Sequence, residues 1–333
     1  MSKPNLFEFA TSELSQDAFI CWLLSWANPA NKAIDEGLHN CSINLINAFF
    51  QKCGMERLES INNVEIKTQS NNIDILCIIN NKFIIIIEDK VGTKNHSNQL
   101  KRYIEDVKSR FPNLIILPIY FKTGDQSDYG DVYKSGYQVF SRSDFLAILD
   151  KGNKLGIEND IYKDYQAHLH LIEKLVQSYK TLPLSEWNKN RNSWKGFYME
   201  LQKRLEYCKW QYVPNKSGGF LGFSWPWPFL ENVDSEQSLQ LEQEKFCFKI
   251  HVRDKAKRGF FRQIWYENII KEAPNQNIKV KKPARFGNGN YVTFAILEEE
   301  YRKTNADGII NMNETINQLH KCEMLLKAIE EDV

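Results

Sequence analysis

Asp74, Glu88, Asp89 and Lys90 put three carboxylates and one ammonium into the stretch 72–103, NIDILCIINNKFIIIIEDKVGTKNHSNQLKRY. Asp74 stands near the start of one apolar run, residues 73–79, and the three others follow a second, residues 83–87. Both runs are rich in β-branched residues and flank Asn80-Asn81, which is a β-hairpin signal. In a hairpin with a two-residue turn, the start of one strand lies beside the end of the other. Asp74 and Glu88 therefore meet at one edge. Glu88 and Lys90, two apart, share a face, and Asp89 points to the opposite one. Charges at the end of strands this apolar are costly unless they are paired or bind a cation. Two carboxylates can hold Mg2+, a hard ion that prefers oxygen. A neighbouring lysine can orient or deprotonate an attacking water and stabilise developing negative charge. Together they make a site for hydrolysing a phosphodiester. The plainer alternative is an ion-pair network at two strand ends, with the chain serving a structural or interaction role.

The order of these residues resembles the PD-(D/E)xK nuclease superfamily, with its restriction-endonuclease-like fold. Asp74 matches the first metal ligand, Glu88 the second and Lys90 the catalytic lysine, and the resemblance implies that Asp89 adds its backbone carbonyl to the metal site. Gln99 and Tyr103, spaced QxxxY, look like the extra motif of the exonuclease-related branch. Glu13, in ELSQDAFICWLL, fits the acidic residue that many members place on a helix before the core strands, and this segment is similar to an uncharacterised bacterial set of the superfamily. Ile73 stands where many members carry proline before the first aspartate. The resemblance covers roughly residues 8–150. It implies a Mg2+- or Mn2+-dependent nuclease acting on nucleic acid. DNA comes first and RNA stays open, as do roles in defence or repair. The runner-up is a catalytically inactive nucleic-acid- or protein-binding module on the same fold.

Elements must bring these residues together. Residues 12–27 make a helix capped by Ser12 or Ser15, with Phe19, Trp22, Leu23 and Trp26 on one face and Glu13 and Asp17 sharing another. Glu13 and Asp17 could both look toward the site, and the alternative for Asp17 and Gln16 is a solvated first turn. A second helix spans 43–53 and ends at Gly54. Strands are expected at 64–68, with Glu65 facing outward, at the two runs of the hairpin, at 114–121 and at 137–140. The loop 91–97 carries His96, read as a surface residue, and a helix at 97–110 places Gln99 and Tyr103 on one face. Tyr103 either approaches nucleic acid or packs. Lys122 is expected at the surface or facing nucleic acid, the loop 123–132 is expected to be exposed, and Ser143 is expected to cap a helix through 149. A long helix at 155–180 follows, in which His168 and His170 point apart. Alternating strands and helices argue for an α/β fold, a restriction-endonuclease-like core with a mixed central sheet flanked by helices, over residues 1–182.

Beyond a boundary at 182–190 the composition changes. Residues 190–333 read as a C-terminal α+β domain, with helices at 194–210, 261–272 and 314–331 and strands at 239–241, 245–252 and 291–297. Residues 249–285 hold eleven Lys and Arg against three acids, in a chain whose net charge is +1. Lys255, Lys257, Arg258, Lys281 and Lys282 are therefore candidate nucleic-acid contacts. Phe260, Phe261, Trp265 and Tyr266 are interleaved among them, where core packing competes with base stacking. Trp225-Pro226-Trp227-Pro228 is a candidate interface should the protein form a homodimer. The seven cysteines show no CxxC pair, which points to free thiols in a reducing cytoplasm. No apolar run approaches the roughly 20 residues of a membrane span, and MSKPNLFEFA has no signal-peptide pattern. No zinc finger, helix-turn-helix signature, P-loop or GxGxxG occurs, which argues against ATP-driven activity.

Overall fold

In the computed structural model the chain divides into two compact units, Met1–Glu173 and Lys174–Val333. The structure describes residues 3–92, 98–215, 218–226, 235–285, 287 and 289–330. His96, and Trp227-Pro228 of the candidate interface, lie outside the described residues.

The first unit is built around the hairpin. Strand β2 (Ile73–Ile79) pairs antiparallel with β3 (Phe83–Lys90), and all eight residues of β3 are buried. Asn80 and Asn81 turn the chain with φ of 53° and 50°, a left-handed conformation that asparagine tolerates. The register pairs Ile79 with Phe83, so Lys82 joins the loop, one residue more than the expected turn. Strand β1 (Val64–Ser70) is antiparallel to β2, while β4 (Ile115–Lys122) and β5 (Gln138–Ser141) run parallel to β3. The five-stranded sheet is therefore mixed, in the order β1-β2-β3-β4-β5. Ile75, Cys77, Ile85 and Ile87 enter one core with helices α1 (Glu13–Ser25), α2 (Glu36–Lys52), α5 (Arg142–Asn153) and α6 (Asp160–Gln177). Leu76, Ile78, Ile84 and Ile86 enter another with α3 (Gln99–Arg110) and Val132 of the short helix α4 (Gly130–Lys134). Burial on both faces explains runs that are apolar without alternation.

Several boundaries differ from those expected. Helix α2 begins at Glu36 because Asp35 caps it, accepting the Leu38 N–H, and the polar residues of its first turns hide the apolar period. Ser141, not Ser143, caps α5 in a reciprocal capping box with Asp144. The long 155–180 helix starts only at Asp160, since Gly156 takes a φ of +71°. The unit division falls inside α6, ahead of 182–190, where Trp187 is fully buried in the second core.

The second unit is an antiparallel six-stranded sheet of order β10-β11-β9-β8-β7-β6, with helices α7 (Arg191–Arg204), α8 (Arg258–Glu272) and α9 (Met312–Glu330). Its strands are β6 (Lys209–Val213), β7 (Phe220–Pro226), β8 (Ser235–Glu242), β9 (Lys245–Val252), β10 (Val280–Lys281) and β11 (Tyr291–Leu297). The helix expected through 210 stops at Arg204, and Trp210 is buried on a strand. Strand β8 extends back to Ser235 because its residues alternate between buried and half-buried. All seven cysteines are free, and no described helix is long and apolar enough to cross a membrane.

Candidate active site

Strand pleating sorts the charged residues that end β3. Asp89 follows Ile85 and Ile87 onto the side packed by α1 and α2, whereas Glu88 and Lys90 follow Ile84 and Ile86 onto the side of α3. Asp74 and Glu88 lie one residue beyond the register pair Ile75–Ile87, side by side as the hairpin requires. One oxygen of Asp74 accepts the Asp89 backbone N–H at 2.9 Å.

Lys90 gathers the cluster. Its Nζ lies 2.7 Å from Glu88 Oε1, 2.7 Å from the Asp89 carbonyl oxygen, 3.6 Å from Asp74 Oδ2 and 3.9 Å from Glu13 Oε2. The other Glu13 oxygen accepts the Val91 N–H at 3.0 Å, which ties the start of α1 to the chain leaving β3. Gln99 Nε2 donates to Glu88 Oε1 at 3.1 Å and to the Tyr103 hydroxyl at 2.7 Å. Asp74, Glu88, Lys90, Glu13 and Gln99, separated by up to 86 positions between Glu13 and Gln99, thus converge at one strand end.

The electrostatics follow from burial. Glu88 is fully buried, and burial together with the Asp74 charge pushes its carboxyl up to about 7, against the pull of Lys90. Burial opposes the charge on Lys90, but Glu88, Asp74 and Glu13 outweigh it and hold the amine above its ordinary value. On the opposite face, Asp89 is held well above the carboxylate range by burial and by Asp17. Asp17 is itself raised to about 6 by burial and by Asp74. Burial and mutual repulsion thus both oppose ionising the two carboxyls together.

Within 3.6 Å of the ammonium the donor set is two carboxylates and one backbone carbonyl, all oxygen. The ammonium stands in for a cation there, and Glu88 Oε2 is a buried oxygen with no hydrogen-bond partner among the described residues. These residues fit a hard divalent ion that keeps part of its water shell. Among the described residues no three His, Cys, Asp or Glu side chains form a ready-made centre.

The surroundings correct several expectations. Gln16 and Asp17 are buried, not solvated. Gln16 donates to Asp89 Oδ1 and accepts from Thr123 Oγ1 at 2.6 Å and from the Tyr165 hydroxyl at 2.9 Å. Lys122 is also buried. It donates to the Val91 carbonyl at 3.0 Å, and burial lowers its amine to about 8. The loop after it begins buried at Thr123, held by Arg142. Tyr103 is 7% exposed and holds Gln99, so its ring packs in the core instead of facing a nucleic acid. In the second unit Lys255, Lys257, Lys281 and Lys282 are exposed. Arg258 is buried: its guanidinium donates to the carbonyls of Val252 at 3.0 Å and Arg253 at 3.2 Å and to Asn290, so it braces the fold. Trp265 is core, while Phe260 is exposed.

A mixed sheet whose two central strand ends carry an Asp–Glu–Lys cluster, with a preceding helix supplying Glu13 and a following one supplying Gln99, defines a restriction-endonuclease-like domain. Residues 4–154 match the family model of the PD-(D/E)XK nuclease superfamily, so this part of the chain is similar to that superfamily. No curated protein and no solved structure matches the chain.

Proposed function

We propose that the chain is a divalent-metal-dependent nuclease that hydrolyses phosphodiester bonds, with DNA as the first substrate to test. The observation that carries this reading is the Lys90 ammonium held among Glu88 Oε1, the Asp89 carbonyl and Asp74 Oδ2. Those three oxygens would hold Mg2+ or Mn2+, which when bound would polarise the scissile phosphate and acidify a water. Asp74 and Glu88 supply the negative charge that draws the cation to the phosphate. Lys90, kept protonated by its carboxylate neighbours, orients the attacking water and stabilises negative charge developing on the phosphate. Gln99 fixes the Glu88 carboxyl through its amide, and Tyr103 in turn positions that amide. Glu13 holds the Val91 peptide and completes the anionic rim. Exposed Lys255, Lys257, Lys281 and Lys282 are the proposed contacts to the nucleic-acid backbone. Seven free thiols accord with a reducing compartment such as the cytoplasm.

The test is cleavage of plasmid DNA, linear DNA and RNA with Mg2+ or Mn2+, wild type against Lys90→Ala. Metal-dependent cleavage that the variant loses is the expected result, with nicking or shortening giving the mode. No cleavage of any substrate, together with no Mn2+ binding by calorimetry, would overturn the reading in favour of a binding module.

A further inference from the structure

The second unit holds a cavity of about 590 Å³ that the cleavage chemistry does not use. That volume is within the range of small-molecule sites. Two cations, Arg191 and Lys195, line it one turn apart at the start of α7, and among the described residues no acidic side chain does. Neither cation has an ion-pair partner among the described residues. A shallower depression beside it carries Glu242 and Glu244, but both are engaged. Glu242 binds Lys249 at 2.7 Å and Glu244 accepts from Asn188 at 2.7 Å. The charged groups that line the cavity itself are therefore both positive.

Its other wall is aromatic. Tyr212 of β6, Phe220 of β7 and Trp194 of α7 all line it. Trp194 is fully buried, yet its indole N–H has no hydrogen-bond partner among the described residues. Buried indole N–H groups ordinarily find an acceptor, so this one lacks a group that a ligand would bring. Gly219 lets Tyr212 and Val213 pack closely against the wall. Its φ is +77°, and a Cβ there would lie 2.5 Å from the Val213 carbonyl and 2.6 Å from the Tyr212 hydroxyl. Asn192 and Gln243 add carboxamides, which offer donor and acceptor together, as a base edge does.

We propose that this cavity binds a nucleoside phosphate, with the phosphate on Arg191 and Lys195 and the base against Tyr212 and Phe220. Cations for the phosphate, aromatic rings for a planar heterocycle and carboxamides for its edge are the chemistry of nucleotide recognition. The ligand is a free nucleotide or the end residue of a strand. The site stands on the second unit alone and does not depend on the first unit cleaving anything.

The test is calorimetry on the full chain in EDTA, so that cleavage plays no part. The probes are AMP, adenosine, inorganic phosphate, and one trinucleotide with either a 5′-phosphate or a 5′-hydroxyl. AMP is expected to bind at least about tenfold tighter than adenosine or phosphate, and to change tryptophan fluorescence. The double variant Arg191→Gln/Lys195→Gln, at positions that are not buried, is expected to lose at least about tenfold in affinity with an unchanged Tm. Tighter binding of AMP assigns a free nucleotide, and tighter binding of the 5′-phosphorylated trinucleotide assigns a strand end. Failure of AMP and both trinucleotides to bind at millimolar concentration, or wild-type affinity in the double variant, would overturn the site.

Discussion

The Lys90 ammonium lies 2.7 Å from Glu88 Oε1, on a carboxyl that burial has already pushed up to about 7. Lysine and glutamate form the pair because strand pleating puts residues two apart on one face, and burial at the end of β3 makes each the other's ionic partner. The ammonium uses the oxygens that a divalent ion would use, so Lys90 and the metal answer the same negative charge.

That relationship sets a pH dependence. Glu88 has a folded-state pKa of about 7 against an ordinary 4.5, so its contribution to stability is complete below 4.5 and is lost as pH rises through 7. Asp17 acts in the same direction between 3.8 and about 6. Metal binding has the opposite sign, because it requires Glu88 ionised. Mn2+ affinity is expected to rise about tenfold per pH unit up to 7 and then to level off, with one proton released on binding below 7. Calorimetry and melting from pH 5 to pH 8.5 check this, with Glu88→Gln as the reference. An Mn2+ affinity independent of pH would show that Glu88 is not a ligand.

Lys90→Met separates catalysis from structure. The substitution leaves three oxygens facing each other without their cation, at a cost to metal-free stability of about 3–5 kcal/mol. Added Mn2+ is expected to restore the Tm, since the oxygens are still present and their competitor is gone. Cleavage is expected to fall at least about 100-fold at saturating Mn2+. Were the cluster only an ion-pair network, Mn2+ would leave the Tm of the variant where the substitution put it.

Tyr103 and the exposed lysines make different predictions, although both were sequence candidates for nucleic-acid contact. Tyr103→Phe removes a hydroxyl that accepts from Gln99, at a cost of about 1 kcal/mol, and it leaves the salt dependence of DNA binding unchanged. Lys255→Gln/Lys257→Gln removes two of the proposed phosphate contacts and is expected to lower the log–log salt slope by roughly 2. Filter binding or anisotropy between 50 and 300 mM salt distinguishes the two. A salt slope altered by Tyr103→Phe would mean that the buried hydroxyl reaches nucleic acid after all.

How much of this was legible in the sequence depends on distance along the chain. Asp74, Glu88 and Lys90 were legible because one hairpin joins them, and period-2 geometry fixes their faces without further knowledge. Gln99 and Glu13 were placed by their spacing and resemblance to a family order. Gln16, Thr123, Tyr165 and Lys122 were not legible as a group. The contacts of Gln16 to Asp89, Thr123 and Tyr165 span 73, 107 and 149 positions, and a glutamine in a helix's first turn ordinarily faces water. In the second unit, Arg258 lies within a basic run, and only the fold shows its guanidinium spent on the carbonyls of Val252 and Arg253. Strand β7 was obscured by glycine and proline, which read as loop.

The last prediction concerns the Val91 peptide, which follows Lys90 and is gripped from three sides. Its N–H donates to Glu13 at 3.0 Å and its carbonyl accepts from Lys122 at 3.0 Å. Gly124 lies so close that a Cβ there would sit 1.9 Å from the same carbonyl oxygen. No φ of the left-handed kind applies at Gly124, so glycine is required by close approach alone. Gly124→Ala must displace Val91, and with it the backbone that carries Lys90 and the Asp89 carbonyl. The expected stability loss is about 1–3 kcal/mol. If the grip only braced the fold, cleavage measured well below the Tm would match the wild type. If it positions the site, Mn2+ affinity and cleavage fall at temperatures where Gly124→Ala is fully folded. Lys122→Met, which removes the donor and adds no bulk, is then expected to repeat the loss in milder form. Wild-type Mn2+ affinity in both variants would show that Lys90 is positioned by its carboxylate partners alone.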